Sequence, residues 1–358
     1  MSICYINTFM FFPFHIMKFD KVRILLLIFA SVQVKAQDFQ FSQFYNVPLY
    51  QNPAFAGSLH QTRLSFHQRL QWPRLDARYT TSVLSADTYF PTAKSGAGII
   101  IMQDYQGGGQ ISSTETHFMY SYEVNLSKQL TFRPGLQVGY VSRHVNYAEL
   151  HFPSQYNNTQ GLVNPQDPQD VWNKAKGYVD ISSGGVLYSK QFWAGFSVHH
   201  LNNPNQSFQG AGIVSKLPAQ FALTSGYKII LYKKTSIHDK DEISITPTFH
   251  YKSQGMSDQL DLGIYGAANQ GLIGLWYRGI PIKTYKYNGN QFNDNESIIV
   301  FLGWKGDPLR IGYSYDFTIS RLARARTGGA HELNITYVFQ HKKHKKRKIM
   351  KRLPCPSF

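Results

Sequence analysis

Residues Glu242–Tyr251 read EISITPTFHY and alternate with a period of two. Ile243, Ile245, Pro247, Phe249 and Tyr251 fall on one side; Glu242, Ser244, Thr246, Thr248 and His250 fall on the other. Successive side chains of a β-strand point to opposite faces, so this stretch belongs between an apolar and a polar environment. Ala219–Ile229 repeats the pattern, with Phe221, Leu223, Tyr227 and Ile229 opposite Gln220, Thr224 and Lys228. His331–Gln340 repeats it again, while Ile298–Leu302 is apolar throughout and does not alternate.

Around these segments, residues 62–340 hold fourteen strand candidates, among them 217–231, 242–253, 270–278 and 296–305. Most approach the roughly 9–11 residues with which a tilted strand crosses a bilayer. Pro134 and Pro247 weaken two candidates or mark bulges. The connections mostly sort by side, with Tyr232–Asp241 and Gln254–Met256 as exceptions. Leu126–Lys128, Ser189–Lys190, Ala268–Asn269 and Gly306–Asp307 are tight, whereas Pro153–Lys176, Leu201–Lys216, Gly279–Asn295 and Thr318–Ala330 are long and polar. Short turns at one end and long loops at the other is the plan of an outer-membrane barrel, and a soluble sandwich has no reason to adopt it. The expected fold is all-β: a transmembrane antiparallel barrel of about 14 strands, with both chain ends at the periplasmic side.

Composition agrees. Aromatic residues make up 15%, with 23 Tyr, 25 Phe and 28 Gly, a mixture suited to aromatic girdles and softened strands. Residues 1–36 read as a secretory signal peptide: Lys18, Lys21 and Arg23 precede the apolar Ile24–Ala30, and Val34-Lys35-Ala36 suits cleavage. Met17 is a candidate initiator. After cleavage only Cys355 remains, so no intramolecular disulfide forms. Of the net charge of +16, the leader accounts for +3 and Lys342–Arg352 for +8, which leaves +5 on the body. The basicity belongs to a tail at 341–358, not to a nucleic-acid-binding face. Such a tail suits an acidic protein surface or anionic headgroups.

Chemistry-bearing motifs are sparse. His199-His200 and His331-Glu332 are adjacent on strands and point to opposite faces, which does not suit chelation of one ion, and no cluster has zinc-like spacing. Gly107-Gly108-Gly109 lacks a following GK[ST] and reads as a loop tip rather than a phosphate cradle. No framed nucleophile, base and acid are found. Catalytic residues, metal and cofactors are all expected to be none.

Between the leader and the first strand lies QDFQFSQFYNVPLYQNPAFAGS, Gln37–Ser58, aromatic and broken by Pro48 and Pro53. It reads as a lead-in or plug at 37–61. Its QDxxFSQ…NPAxAG pattern resembles the N-terminal signature of the PorP/SprF family. The resemblance continues through RLQW (Arg69–Trp72), GLWYRGIPI (Gly274–Ile282), GYSYDFTIS (Gly312–Ser320), GGAHELNITYVF (Gly328–Phe339) and the terminal CPSF. It singles out Asp38, Phe41, Ser42, Gln43, Asn52, Pro53, Ala54, Gly57, Trp72, Trp276, Tyr277, Arg278, Tyr315, Asp316, His331, Glu332, Cys355, Pro356 and Phe358 as signature or partner-binding positions. Ala330 departs from the Ser more common before His-Glu.

The resemblance implies an outer-membrane protein of type IX secretion and gliding motility in Bacteroidota, exported through the Sec pathway. It implies as partners the C-terminal domain of an adhesin-like secreted cargo, periplasmic secretion-ring or lipoprotein components, and outer-membrane lipid. The expected mechanism has Gln37–Ser58 tucked into or under the barrel as a periplasmic plug, with Asn52-Pro53-Ala54 as a tight turn. The lumen and long loops then receive cargo, and the tail docks to a periplasmic partner. The alternative is an outer-membrane channel for hydrophobic small molecules of the fatty-acid transporter type, which the polar lumen set (Gln220, Thr224, Lys228, Glu242, Ser244, Thr246, Thr248) disfavours.

Overall fold

The computed structural model describes residues 38–109, 111–146, 156–157, 161–162, 175–208, 214–235, 240–287 and 290–339. Fourteen antiparallel strands follow one another around a closed barrel. They are β1 (Thr62–Gln71), β2 (Tyr79–Phe90), β3 (Ser95–Gln106), β4 (Ile111–Tyr122), β5 (Thr131–Val145), β6 (Ala175–Tyr188) and β7 (Phe192–His199). Then come β8 (Gln220–Tyr227, continuing as Ile229–Thr235), β9 (Lys240–Gln254), β10 (Ser257–Ala268), β11 (Gly271–Tyr287), β12 (Asn290–Lys305), β13 (Leu309–Thr318) and β14 (Ala330–Phe339). Each pairs with its neighbours in sequence, and β1 pairs with β14 from Thr62↔Phe339 to Gln71↔Ala330 to close the ring. The expected count of about fourteen is met.

Alternation is realised as an inside-out protein. On β9, Ser244, Thr246 and His250 are buried toward the lumen, while Ile243, Pro247 and Phe249 are exposed on the outer wall. The outer wall also carries Phe118, Leu136, Val138, Leu223, Leu275 and Leu302, and the inner wall carries Arg63, His67, Arg133, Gln137, Asp261 and Arg278. An apolar exterior over a polar interior is what a barrel in lipid requires. Among the described residues no helix is long and apolar enough to cross a membrane; the crossing is made by strands.

The prolines sit in paired strands. Pro247 faces Ile264 on β10 with no register shift, and on its other side lies the break that splits β8 at Lys228. Proline has no N–H for the ladder, so the pairing between β8 and β9 pauses there and resumes in the same register. A true irregularity lies further on, between Ile230 and Tyr232.

One expected loop proves to be a hairpin. Gly279–Asn295 is not a long polar loop: β11 and β12 run on past Arg278↔Ser297 and pair as far as Tyr287↔Asn290. Polar residues in that stretch hid the hairpin, because beyond the bilayer a strand has no apolar face to show.

Candidate functional site

Residues 38–61 lie inside the barrel. They start beside the ends of β7, β8 and β9 at the long-loop mouth and descend to the short-turn mouth, where β1 begins. In outer-membrane barrels the short turns face the periplasm, so the segment runs from the outer mouth down through the lumen to the periplasmic one. Asp38 therefore lies at the outer mouth and not at the periplasmic side expected for both chain ends.

The segment is a chain of single turns, Phe44–Asn46, Pro48–Gln51 and Pro53–Phe55. Pro48 and Pro53 each open a turn, where the missing N–H is not needed. Asn52 caps the last turn, its Oδ1 accepting from Ala54 N at 2.9 Å, while its Nδ2 donates to Phe196 O at 2.8 Å on the wall. These short elements cannot stand alone; the wall supplies what they lack, at three levels.

At the upper level, Asp38 accepts hydrogen bonds from His200 Nε2 at 2.7 Å, Gln220 Nε2 at 3.0 Å and Gln254 Nε2 at 3.1 Å. His200 Nδ1 lies 2.7 Å from Asp180 Oδ1, so the ring bridges two carboxylates and is held as imidazolium. Burial opposes that charge, but the Asp38 charge and the hydrogen bonds to Asp180 and Asp38 prevail and raise the His200 pKa to about 11. Burial would raise the Asp38 pKa, yet His200 beside it holds the carboxyl below its usual value.

Just below, Ser42 and Gln43 enter a fully buried charge cluster. Ser42 N and Gln43 N donate to the two oxygens of Glu332 at 2.6 and 2.8 Å, and Ser42 Oγ donates to Asp316 Oδ2 at 2.5 Å. Arg69 bonds Glu332, Ser42 Oγ at 2.9 Å and Asp316 Oδ2 at 3.1 Å. Arg278 donates to Asp261 Oδ1 at 2.8 Å and to Phe41 O at 3.0 Å, and it has 0% exposure. Buried charges persist only when paired and hydrogen-bonded, and here the partners span the wall and the segment.

The middle level is aromatic. Tyr45 stacks on Trp276 with ring centroids 5.1 Å apart, Phe301 meets Tyr45 edge-on at 5.5 Å, and Phe44 stacks on His250 at 4.7 Å. Trp276 lies in a slot left open by Gly263: a Cβ there would come within 1.8 Å of the indole.

At the lower level the NPAFAG block rests directly on the wall. A Cβ on Gly135 would lie 2.3 Å from Ala54 N, so only glycine admits this approach. Arg133 Nη2 donates to Ala56 O at 2.6 Å, and Gly57 N donates to Asp87 Oδ2 at 2.8 Å.

Among the described residues, cavities beside the segment measure about 10 Å³ (at Asp38 and Gln40) and about 30 Å³ (at Asp38 and Tyr50, and at Phe41 and Gln51), close to the space of one water. A folded cargo domain therefore has no room in this lumen, which corrects the expectation that the lumen receives one. Among the described residues no three His, Cys, Asp or Glu side chains are arranged to hold a metal.

Of the sequence-derived positions, Phe41, Ser42 and Gln43 meet Arg278, Asp316 and Glu332 across the lumen. Asn52, Pro53, Ala54 and Gly57 contact the lower wall, and Trp276 the middle. Trp72, Tyr277, Tyr315 and His331 are not part of this interior. His331 and Tyr315 lie side by side on the outer wall, ring centroids 4.8 Å apart, and Trp72 N donates to Gly329 O at 2.8 Å on the rim. Cys355, Pro356 and Phe358 lie outside the described residues, as does the basic tail. Sequence reasoning passed over Arg133, Asp87 and Asp261, weighed His200 only as a metal ligand, and quoted Arg69 only within RLQW without giving it a role. For Arg69 the signal was present: it shares the polar side of β1 with Arg63, Ser65 and His67.

Solved structures similar to this chain include outer-membrane proteins. The Pseudomonas putida toluene transporter TodX is 11% identical over 83% of this chain and 95% of its own, with a TM-score of 0.43. The Acinetobacter baumannii outer membrane protein Omp33 is 6% identical over 79% of this chain and 100% of its own, with a TM-score of 0.40. No curated protein sequence matches the chain. The family model described as type IX secretion system membrane protein PorP/SprF matches residues 33–337. With its closed barrel and apolar outer wall, the chain belongs to the PorP/SprF family of type IX secretion membrane proteins and resides in the outer membrane.

Proposed function

We propose that the protein serves type IX secretion and gliding as a sealed outer-membrane platform and not as a conduit. It anchors a secreted cargo protein, through the C-terminal domain of that cargo, on its long-loop face, and it docks to periplasmic ring or lipoprotein components below. The observation that carries this reading is the lumen filled from mouth to mouth by residues 38–61, bonded to the wall at each level. A barrel that occupies its own pore acts through its surfaces. The same filling, with polar side chains such as Gln220, Thr224 and Ser244 turned inward, speaks against a channel for hydrophobic small molecules. No step of this role requires enzymatic chemistry.

The test is purification of the tagged protein from native outer membranes in mild detergent, with mass spectrometry of what accompanies it. A large secreted protein bound through its C-terminal domain supports anchoring. Periplasmic ring components alone would make the protein a part of the machine and end the cargo reading. Deleting Lys342–Phe358 should remove periplasmic partners; retention of all of them would end the docking role of the tail.

A further inference from the structure

On the outer wall at the long-loop mouth, the connection after β13 folds over the strand as one turn, Arg321–Ala325. Beneath it lies an open groove of about 480 Å³, lined in part by Tyr315, Phe317, Arg74, Arg326 and Gly328. We infer that this groove binds the phosphate of an anionic lipid headgroup in the outer leaflet, that is, of a lipid A-type glycolipid. The inference is independent of the cargo reading.

Position comes first. Ile311, Tyr313 and Phe317 project outward from β13 into the space of the acyl chains, with exposures of 38, 42 and 50%. Tyr313, Tyr315 and His331 form an aromatic patch at the top of that wall, and Tyr313 OH lies 2.8 Å from His331 Nδ1. Amphipathic aromatic rings gather at headgroup level, so the groove opens at the membrane surface and not into water above it.

Charge comes second. The stretches 72–78 and 319–329 carry Arg74, Arg78, Arg321, Arg324 and Arg326 against a single carboxylate, Asp76, a net +4. Asp316, the nearest acid on β13, faces the lumen and is spent on Arg69 and Ser42. Among the described residues Arg74, Arg78, Arg324 and Arg326 have no carboxylate within ion-pair distance. The guanidinium fork suits a phosphate better than any other common surface anion except a carboxylate.

Shape comes third. Arg74 N donates to Thr327 O at 3.2 Å, and Tyr315 OH donates to Gly328 O at 3.1 Å, so strand, first loop and last loop are tied into one unit. The Arg74 stem passes so close to Gly328 that a Cβ there would lie 3.1 Å from Arg74 Cγ. Gly328 itself sits at φ +81°. A preformed groove with aromatic floor and two arginines at its lip matches a headgroup whose chains run down the barrel wall.

An acidic protein is the other source of anions, and the test separates the two. The purified full-length protein in detergent is mixed with diphosphorylated or dephosphorylated lipid A and examined by native mass spectrometry. The wild type should retain the diphosphorylated form preferentially. Arg74→Gln/Arg326→Gln should lower that retention about 10-fold or more, while Lys94→Gln/Lys190→Gln, at the opposite mouth, should leave it unchanged. Heat-modifiable gel migration verifies that each variant is folded. Equal retention by the arginine variant, or equal loss in the lysine variant, would overturn the site. If the arginine variant instead loses a co-purifying acidic protein while holding lipid A as the wild type does, the groove reads protein and the lipid assignment fails.

Discussion

Glu332, on the last strand of the barrel, receives the backbone N–H groups of Ser42 and Gln43 at 2.6 and 2.8 Å, some 290 residues away along the chain. The same carboxylate pairs with Arg69. One side chain thereby joins the lumenal segment, the first strand and the closing strand.

Glu332→Ala should leave two buried N–H groups and the Arg69 guanidinium without their acceptor. Breaking one side of a buried charge pair costs roughly 3–5 kcal/mol. The expected outcome is a lower temperature for the shift from folded to unfolded gel mobility, with new protease cleavage within Asp38–Asn46. A variant with unchanged mobility and no new cleavage would show that Glu332 is dispensable for holding the segment.

Gly135→Val would place a branched side chain against the lumenal segment, where even a Cβ would come within 2.3 Å of Ala54 N. The segment has to lift from the lower wall. Planar bilayers should show a quiet wild type and a variant with flickering conductance; a silent, folded variant would mean that the turn at Asn52–Ala54 can yield without opening the lumen.

His200 makes the upper latch sensitive to alkali. Its folded pKa stands raised from 6.5 to about 11, against burial, by Asp38 and Asp180. A raised cationic pKa stabilises fully below the unfolded value and loses that contribution as pH climbs toward the folded one. Asp38, with its lowered pKa, contributes above its unfolded value of 3.8 and loses its contribution in acid. Hydrogen exchange at Asp38–Phe41 should therefore be slowest between about pH 4 and 6.5 and should quicken progressively toward pH 11, beyond the intrinsic pH dependence of exchange. Lys252 and His199 also face Asp38, so His200→Gln is the control: it should flatten the alkaline limb.

Trp276→Ala removes the indole that stacks on Tyr45 and donates to Thr248 Oγ1 at 3.2 Å. Large aromatic-to-alanine changes at buried sites cost about 3–5 kcal/mol. Loss of Tyr45 protection from chemical modification is the specific readout, and a Tyr45 that stays protected would place its anchoring elsewhere.

Much of this molecule is legible in its sequence, and the reason is local. The pleat of a strand turns each step along the chain into a change of face, so Ile243 and Ser244 declare two environments without reference to any other segment. Strand number and loop sorting follow from repetition of that signal. The hairpin beyond Arg278 escaped because above the bilayer both faces of a strand meet water, and the alternation that marks a strand in lipid has no cause there.

An exported, inside-out β-barrel and a set of signature residues at its two ends can thus be read from the chain alone. That the segment from Asp38 to His60 runs down the lumen from the long-loop mouth, and that Ser42 and Gln43 meet Asp316 and Glu332, emerges from the folded molecule. Those meetings depend on closure of β1 against β14, which brings the two ends of a long chain onto one wall. Periodicity carries no information about such pairing: it records which face a residue takes and not which distant residue shares it.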